Sequence, residues 1–444
     1  MKGAQRGAQR GPRVFYGWYV LAASFALLFV NAAAHSTFGL LVKPLQSEFA
    51  WSRGAVTSAA FVNLAVYAVS LLVTGRFYDR WGPKWVIAGS AALVTSGYLL
   101  MSNLDSLWQL HLYYGVLAAA GFGGTSVALF GSLMGRWFEK RRGLAISLAL
   151  AGLPLGQFVL IPLVSDAIAA DWRTTCLWIA LTTLAVNLLL TFGVIRGDPA
   201  QLKMRAYGGG PDMHAGEHVA LSSPQSGSTA EAAVPTHDLS LGEAMRTRSL
   251  WLFTVVMFIC GAGDYLLINH LVAMVTDTGL TETVGASMLA WAGLLGLGGM
   301  LAAGPAADAF GNRLPVAATF TLRTILFVML VFTEGTAVFW VFALAMGFTL
   351  PITAPILPAL VGKLYGIRHI GLICGFVTTV HMLGGGAWSY LAGVLFDRTH
   401  DYRLVMLLSA ITAALAVVCA LLIRDERHLP PVAVSEPEGA PGVL

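Results

Sequence analysis

About twelve runs of roughly 20 or more apolar residues divide this 444-residue chain, and each is long enough to cross a bilayer as a helix. They fall at 16–42, 52–76, 84–102, 107–135, 143–168, 173–195, 248–276, 283–307, 314–333, 336–361, 370–396 and 402–423. None shows the short alternating hydrophobicity of a membrane barrel, so each is read as helix. Only 11% of residues are charged and 57% are hydrophobic, whereas a soluble domain carries about a quarter charged. Most of the outer surface must therefore face lipid. The expectation is an all-α polytopic membrane protein with twelve transmembrane helices in two six-helix bundles.

Charge placement orients these helices. The odd-numbered loops hold five of the 27 Lys and Arg residues, namely Lys43, Arg53, Arg173, Arg398 and Arg403, and Arg323 lies inside a run. The tails and even-numbered loops hold the other 21. By the positive-inside rule both termini are cytoplasmic, and the expected location is a bacterial inner membrane. This bias also accounts for the net charge of +4, so no nucleic-acid partner is implied. The basic stretch 1–13 precedes a run too long for a signal-peptide core, so the first helix is expected to remain in the mature chain. The four cysteines, Cys176, Cys260, Cys374 and Cys419, lie in or at the ends of different runs without CxxC spacing, so neither disulfide nor metal site is expected.

The domain reading is a basic tail at 1–13, an N-terminal bundle at 14–195, a largely disordered cytoplasmic linker at 196–247, a C-terminal bundle at 248–424 and a disordered tail at 425–444. Within the linker, Ser240 and Glu243 form a capping-box pattern that predicts a short helix before the seventh run. Two repeats support the halving. GRFYDRWGPK at 75–84 recurs as GPAADAFGNR at 304–313, so that Gly75, Asp79, Gly82 and Lys84 map onto Gly304, Asp308, Gly311 and Arg313 at an offset of 229. More loosely, GRWFEKRRGLA at 135–145 matches GKLYGIRHIGL at 362–372. Glycines there permit tight turns, and an acid near a helix end can pair with a base such as Arg80. These two loops are expected to act as cytoplasmic gating latches.

With those motifs the chain resembles the major facilitator superfamily over essentially its full length. It is most similar to the branch of monocarboxylate transporters and oxalate/formate antiporters, through FYGWYV (15–20), FGLLVKPLQSEFAWSRG (38–54) and WFEKRRGLAISLALAG (137–152). The resemblance implies a twelve-helix fold, alternating access, a central cavity near the bilayer midplane and proton-coupled movement of small organic anions. Two departures stand out. The eighth run, ETVGASMLAWAGLLGLGGMLAAG, has no charge after Glu282, where lactate-type members carry an acid and an arginine; and the eleventh lacks the cation of the oxalate/formate exchangers, leaving His381 as the nearest candidate.

Ionisable groups at membrane depth are costly and mark function by default. Asp264 in the seventh run and Arg323 in the ninth are the only formal charges well inside a run. Asp264, Asn269 and His270 are read as a cavity cluster, with Asp264 either carrying a coupled proton or tying its helix to a neighbour. Asn31 and His35 share a face at i, i+4 spacing, with Asn31 at the position pseudo-symmetric to Asp264. Tyr114 and His381 are further cavity candidates. Arg323 is either an anion-binding cation or the partner of a neighbouring helix. Pro351, Pro355 and Pro358, with the glycines at 384–386, are expected to bend the tenth and eleventh helices.

The resulting functional reading is a secondary transporter of a small, monocarboxylate-like organic acid, coupled to protons, acting as a monomer and needing no cofactor. Two other readings stay open: carriage of a larger neutral aromatic or heterocyclic metabolite, and a transporter-like ligand sensor. No nucleophile–base pair or nucleotide loop points to an enzyme or an ATP-driven pump.

Overall fold

The computed structural model describes residues 15–208, 239–333, 335–366 and 369–423. Eleven of its helices are long and apolar enough to cross a membrane. They are α1 (Gly17–Phe49), α2 (Arg53–Trp81), α3 (Pro83–Met101), α4 (Leu107–Trp137), the 51-residue helix Gly143–Gly193, α7 (Arg248–Asp277), α8 (Glu282–Phe310), α9 (Arg313–Phe332), α10 (Thr336–Tyr365), α11 (Ile370–Thr399) and α12 (Arg403–Leu422). Gly143–Gly193 is interrupted at Asp171, whose backbone is extended (φ −161°, ψ 105°). The Asp171 carboxylate accepts from the Arg173 amide (3.0 Å) and the Thr174 hydroxyl, as a helix N-cap does. The interruption yields α5 (143–170) and α6 (172–193) and brings the spans to the expected twelve.

Local sequence explains other irregularities. Around Pro351, α10 breaks between Thr349 and Thr353, because proline cannot donate to the preceding turn. In α4, π-helical turns at His111–Ala118 lead to a tight turn at Gly123–Thr125, after which Ser126 caps a renewed helix by accepting from Leu129. The glycines 384–386 do not interrupt α11. They are points of close approach instead: an added Cβ would stand 2.2 Å from the Phe258 carbonyl at Gly384 and 2.2 Å from the Tyr265 ring at Gly385.

The linker differs from expectation where it is described. Residues 199–202 form a short 3-10 turn, and Tyr207 exchanges backbone hydrogen bonds with Trp137, Glu139 and Lys140 while its ring packs among Phe15, Trp18 and Phe138. This first stretch is thus docked on the N-terminal half rather than disordered. The capping box is present: Ser240 and Glu243 cap Leu241–Ala244 reciprocally. Residues 1–13, 209–238 and 425–444 lie outside the described residues.

The repeated loops share one backbone feature. Gly82 ends α2 at φ 77° and Gly311 ends α8 at φ 76°, a region that L side chains avoid. That equivalence gives the 229-residue repeat its physical cause.

Packing between the halves gathers toward the face bearing the odd-numbered loops. There α2 packs along α11, α1 meets α7 where a Cβ on Gly39 would stand 2.3 Å from the Ile268 carbonyl, and Phe158 of α5 meets Trp291 of α8 edge-on at 4.9 Å.

Candidate functional site

Three polar assemblies lie within the helices. The first is central, a small gap between the halves lined by His35, Asn63, Tyr67, Tyr114, Phe122, Tyr265 and Asn269. His35 stacks on Phe122 at 4.1 Å and meets the Tyr67 ring edge-on at 6.0 Å. Tyr114 stacks on Phe38 at 4.5 Å, and the Asn63 amide holds α2 to α4 by donating to the Tyr114 carbonyl at 2.7 Å. Asn269 donates to the Ser389 hydroxyl at 3.1 Å. Among the described residues, the His35 ring nitrogens and the Tyr67 and Tyr114 hydroxyls have no hydrogen-bond partner in the protein. The gap measures about 30 Å³, room for water and too small for an organic solute. No lining residue is formally charged.

The second assembly is buried inside the C-terminal half. Gly261 lets α7 approach α11 so closely that a Cβ there would stand 1.9 Å from the His381 carbonyl. That contact brings His381 to Asp264, with Nε2 3.8 Å from Oδ2. Oδ1 of Asp264 faces the Arg323 guanidinium at 2.7 Å, close but poorly aligned for a hydrogen bond. Arg323 also donates through Nε to Thr349 (3.1 Å) and through Nη1 to the Cys260 carbonyl (3.3 Å). Its side chain is 1% exposed and that of Asp264 5%. Arg323 therefore pairs inside the bundle, and Asp264 has a cationic partner of its own instead of standing free in the cavity.

The third assembly joins the halves at the odd-loop face. Arg53, 2% exposed, reaches from α2 to Asp277 at the end of α7 (2.6 Å) and to the Tyr402 hydroxyl (2.8 Å). Its guanidinium lies 3.7 Å over the Phe396 ring. Asp397 of α11 accepts from the backbone amides of Arg53 and Gly54, at 2.7 and 2.6 Å. Lys43 adds a second cation to Asp277. His270 belongs here, bonded to the Tyr402 hydroxyl (2.9 Å) and the Ser389 carbonyl (2.8 Å).

Of the expected Asp264–Asn269–His270 cluster, Asp264 is set apart in the C-terminal half, while Asn269 at the gap and His270 at the odd-loop face both bond Ser389. Asn31 is buried between α1 and α6, exchanging hydrogen bonds with Asn187 at 3.1 and 3.3 Å, and does not line the gap. His35 and Tyr114 do line it, and His381 sits beside Asp264. In the repeated loops, Gly75 and Gly304 have nothing within 4 Å of an added Cβ, so they make no close helix contact. Asp79 pairs at 3.6 Å with Arg136 of its own half; both are exposed, as are Arg80, Asp308 and Arg313, while Lys84 is half-buried. Arg53, Asp277, Asp397 and Tyr402 were not singled out from sequence. They sit at run ends, where nothing local separates a buried latch from a solvated loop charge.

The Major Facilitator Superfamily pattern matches residues 24–262 and 252–443. Monocarboxylate transporter 13 of Rattus norvegicus is 26% identical over 392 residues, covering 87% of this chain and 84% of the relative. The oxalate:formate antiporter of Oxalobacter formigenes is 22% identical over 418 residues, covering 91% of each. An inward-facing, occupied crystal structure of a bacterial homolog of the human lysosomal transporter Spinster superposes with a TM-score of 0.71, at 13% identity, over 93% of this chain and 97% of that one.

Proposed function

The chain belongs to the major facilitator superfamily, and from that premise we propose that it moves a small monocarboxylic acid across a bacterial inner membrane by alternating access, in symport with a proton. It is a multi-pass membrane transporter and not an enzyme. The observation that carries the finer reading is the central gap, where an unpartnered imidazole and two unpartnered phenols converge between the halves. Hydroxyl and N–H groups donate, and a carboxylate accepts. The aromatic walls offer stacking area for the body of the acid.

The lack of formal charge in that gap gives the coupling its logic. A lone carboxylate leaving water for such a site faces a desolvation cost of several kcal/mol. A carboxylate entering with a proton on His35 arrives as a neutral pair with a charge-assisted hydrogen bond. Anion and proton then travel together. The positive-inside bias makes the odd-loop face extracellular and both termini cytoplasmic; with the halves latched there, the gap opens from this state toward the cytoplasm.

The test is uptake of labelled lactate, pyruvate and benzoate into proteoliposomes, with and without an inward proton gradient. Gradient-stimulated uptake is expected, lost in His35→Gln and reduced about tenfold or more in Tyr67→Phe, as one charge-adjacent hydrogen bond predicts. Gradient-independent uptake that survives His35→Gln overturns the coupling. The wholly neutral, ring-lined gap also favours a second reading, a neutral aromatic metabolite. Transport of benzamide as fast as benzoate selects it.

A further inference from the structure

We infer that Cys260, Asp264 and His381 form a binding site for a thiophilic divalent cation of the zinc type, independent of the transport reading above. Their ligand atoms all lie within 4.8 Å of one another. The Cys260 Sγ stands 3.6 Å from Asp264 Oδ2, and His381 Nε2 stands 3.8 Å from the same oxygen. Metal bonds of 2.0–2.3 Å in a tetrahedron place neighbouring ligands roughly 3.3–3.7 Å apart, so two of the three separations need close by only tenths of an ångström. Cys260 and Asp264 are four residues apart on α7 and share a face, while His381 comes from α11 across the Gly261 contact.

The surrounding groups orient the three ligands and balance their charge. Asp264 turns Oδ2 toward the thiol and imidazole and Oδ1 toward Arg323, so the carboxylate can bind a cation without releasing the arginine. His381 Nδ1 lies 3.1 Å from the Met257 carbonyl. A proton on Nδ1 completes that hydrogen bond and leaves the Nε2 lone pair toward Asp264, the tautomer a metal requires. Thr353 Oγ1 lies 3.4 Å from Cys260 Sγ and Arg323 Nη1 lies 3.7 Å from it; both can support a thiolate. On binding, the Cys260 thiol releases its proton to solvent and sulfur donates an electron pair to the cation. With thiolate, carboxylate and Arg323 counted, the cluster carries one net positive charge, which a hydroxide or chloride in the fourth position neutralises. The His381 side chain, 13% exposed, is the most accessible of the three.

The test is titration of the purified full-length protein with Co²⁺, following the thiolate-to-cobalt charge-transfer band in the near ultraviolet. Histidines elsewhere can bind cobalt but do not produce that band. One equivalent per chain is expected, competed away by Zn²⁺, abolished in Cys260→Ser, weakened at least tenfold in His381→Gln and unchanged in Cys374→Ala. Elution profile and thermal unfolding verify that each variant is folded. Absence of the band in the parent protein, or its survival in Cys260→Ser, overturns the site; unchanged affinity in His381→Gln removes the histidine from it.

Discussion

On the proposed alternating-access reading, replacing Arg53 with methionine is expected to weaken closure of the odd-loop face. The lost interactions are the ion pair to Asp277, the hydrogen bond to Tyr402 and the cation–π contact with Phe396, together with a 3.2 Å hydrogen bond to Gln46 of its own half. Truncating one member of a desolvated charge pair costs about 2–5 kcal/mol. Asp277 is 22% exposed and keeps Lys43, so the lower part of that range applies, about 2–3 kcal/mol after discounting for solvent screening. Asp277, Tyr402 and Phe396 belong to the opposite half from Arg53, so a state open at this face lacks those contacts already, whereas the Gln46 bond is lost from both states. The loss of the contacts between halves therefore weighs on the closed state, and the closed-to-open ratio falls roughly 30- to 150-fold. Thr57, 0% exposed beside Gly393 of α11, reports the change. In a background with the four native cysteines replaced, Thr57→Cys is labelled by a membrane-impermeant maleimide, and its rate is expected to rise by that factor with Arg53→Met. Arg173→Met is the control: Arg173 pairs with Glu48 at 2.8 Å on the same face but within one half, and it leaves the rate unchanged. Equal labelling in Arg53→Met and its parent refutes the latch.

Asp264→Asn leaves the Arg323 charge buried without its counter-ion and is expected to cost about 3–5 kcal/mol, read as a large drop in thermal unfolding temperature in detergent. Asp264→Leu with Arg323→Met removes both charges and is expected to recover most of the loss; a stable single variant contradicts the structural ion pair. Gly261→Ala is expected to fold poorly or not at all, since its Cβ meets the His381 carbonyl at 1.9 Å, whereas Gly75→Ala, with nothing within 4 Å, is expected to be neutral by the same expression and elution assay. Gly82→Ala is expected to cost about 1–3 kcal/mol, because φ 77° with ψ 171° is a region essentially confined to glycine, in the same unfolding assay.

The twelve spans were legible because a bilayer demands long apolar runs whatever the tertiary packing, and the repeat was legible because a positive-φ glycine ends both α2 and α8. Two things were not. Asp264 and Arg323 are 59 positions apart on α7 and α9, and only the packing of the C-terminal half turns them from two isolated membrane charges into a pair. Likewise Arg53 reads as an ordinary loop cation until α2 is set against α7 and α11. Pseudo-symmetry misled at Asn31, which corresponds to Asp264 by alignment but faces Asn187 across α1 and α6.

Those pairings bear on what the gap can select. The charges placed deepest, Asp264 and Arg323, hold helices together, and the charges of the latch hold the halves together. None of these lines the gap. Under the proposed monocarboxylate reading, selection of an anion there comes from neutral donors and from a proton arriving with the solute. On that reading, without the proton the site has no cation. Lowering external pH is accordingly expected to raise affinity for the acid rather than only maximal rate, and an unchanged KM across pH 5 to 8 would count against this reading of the site.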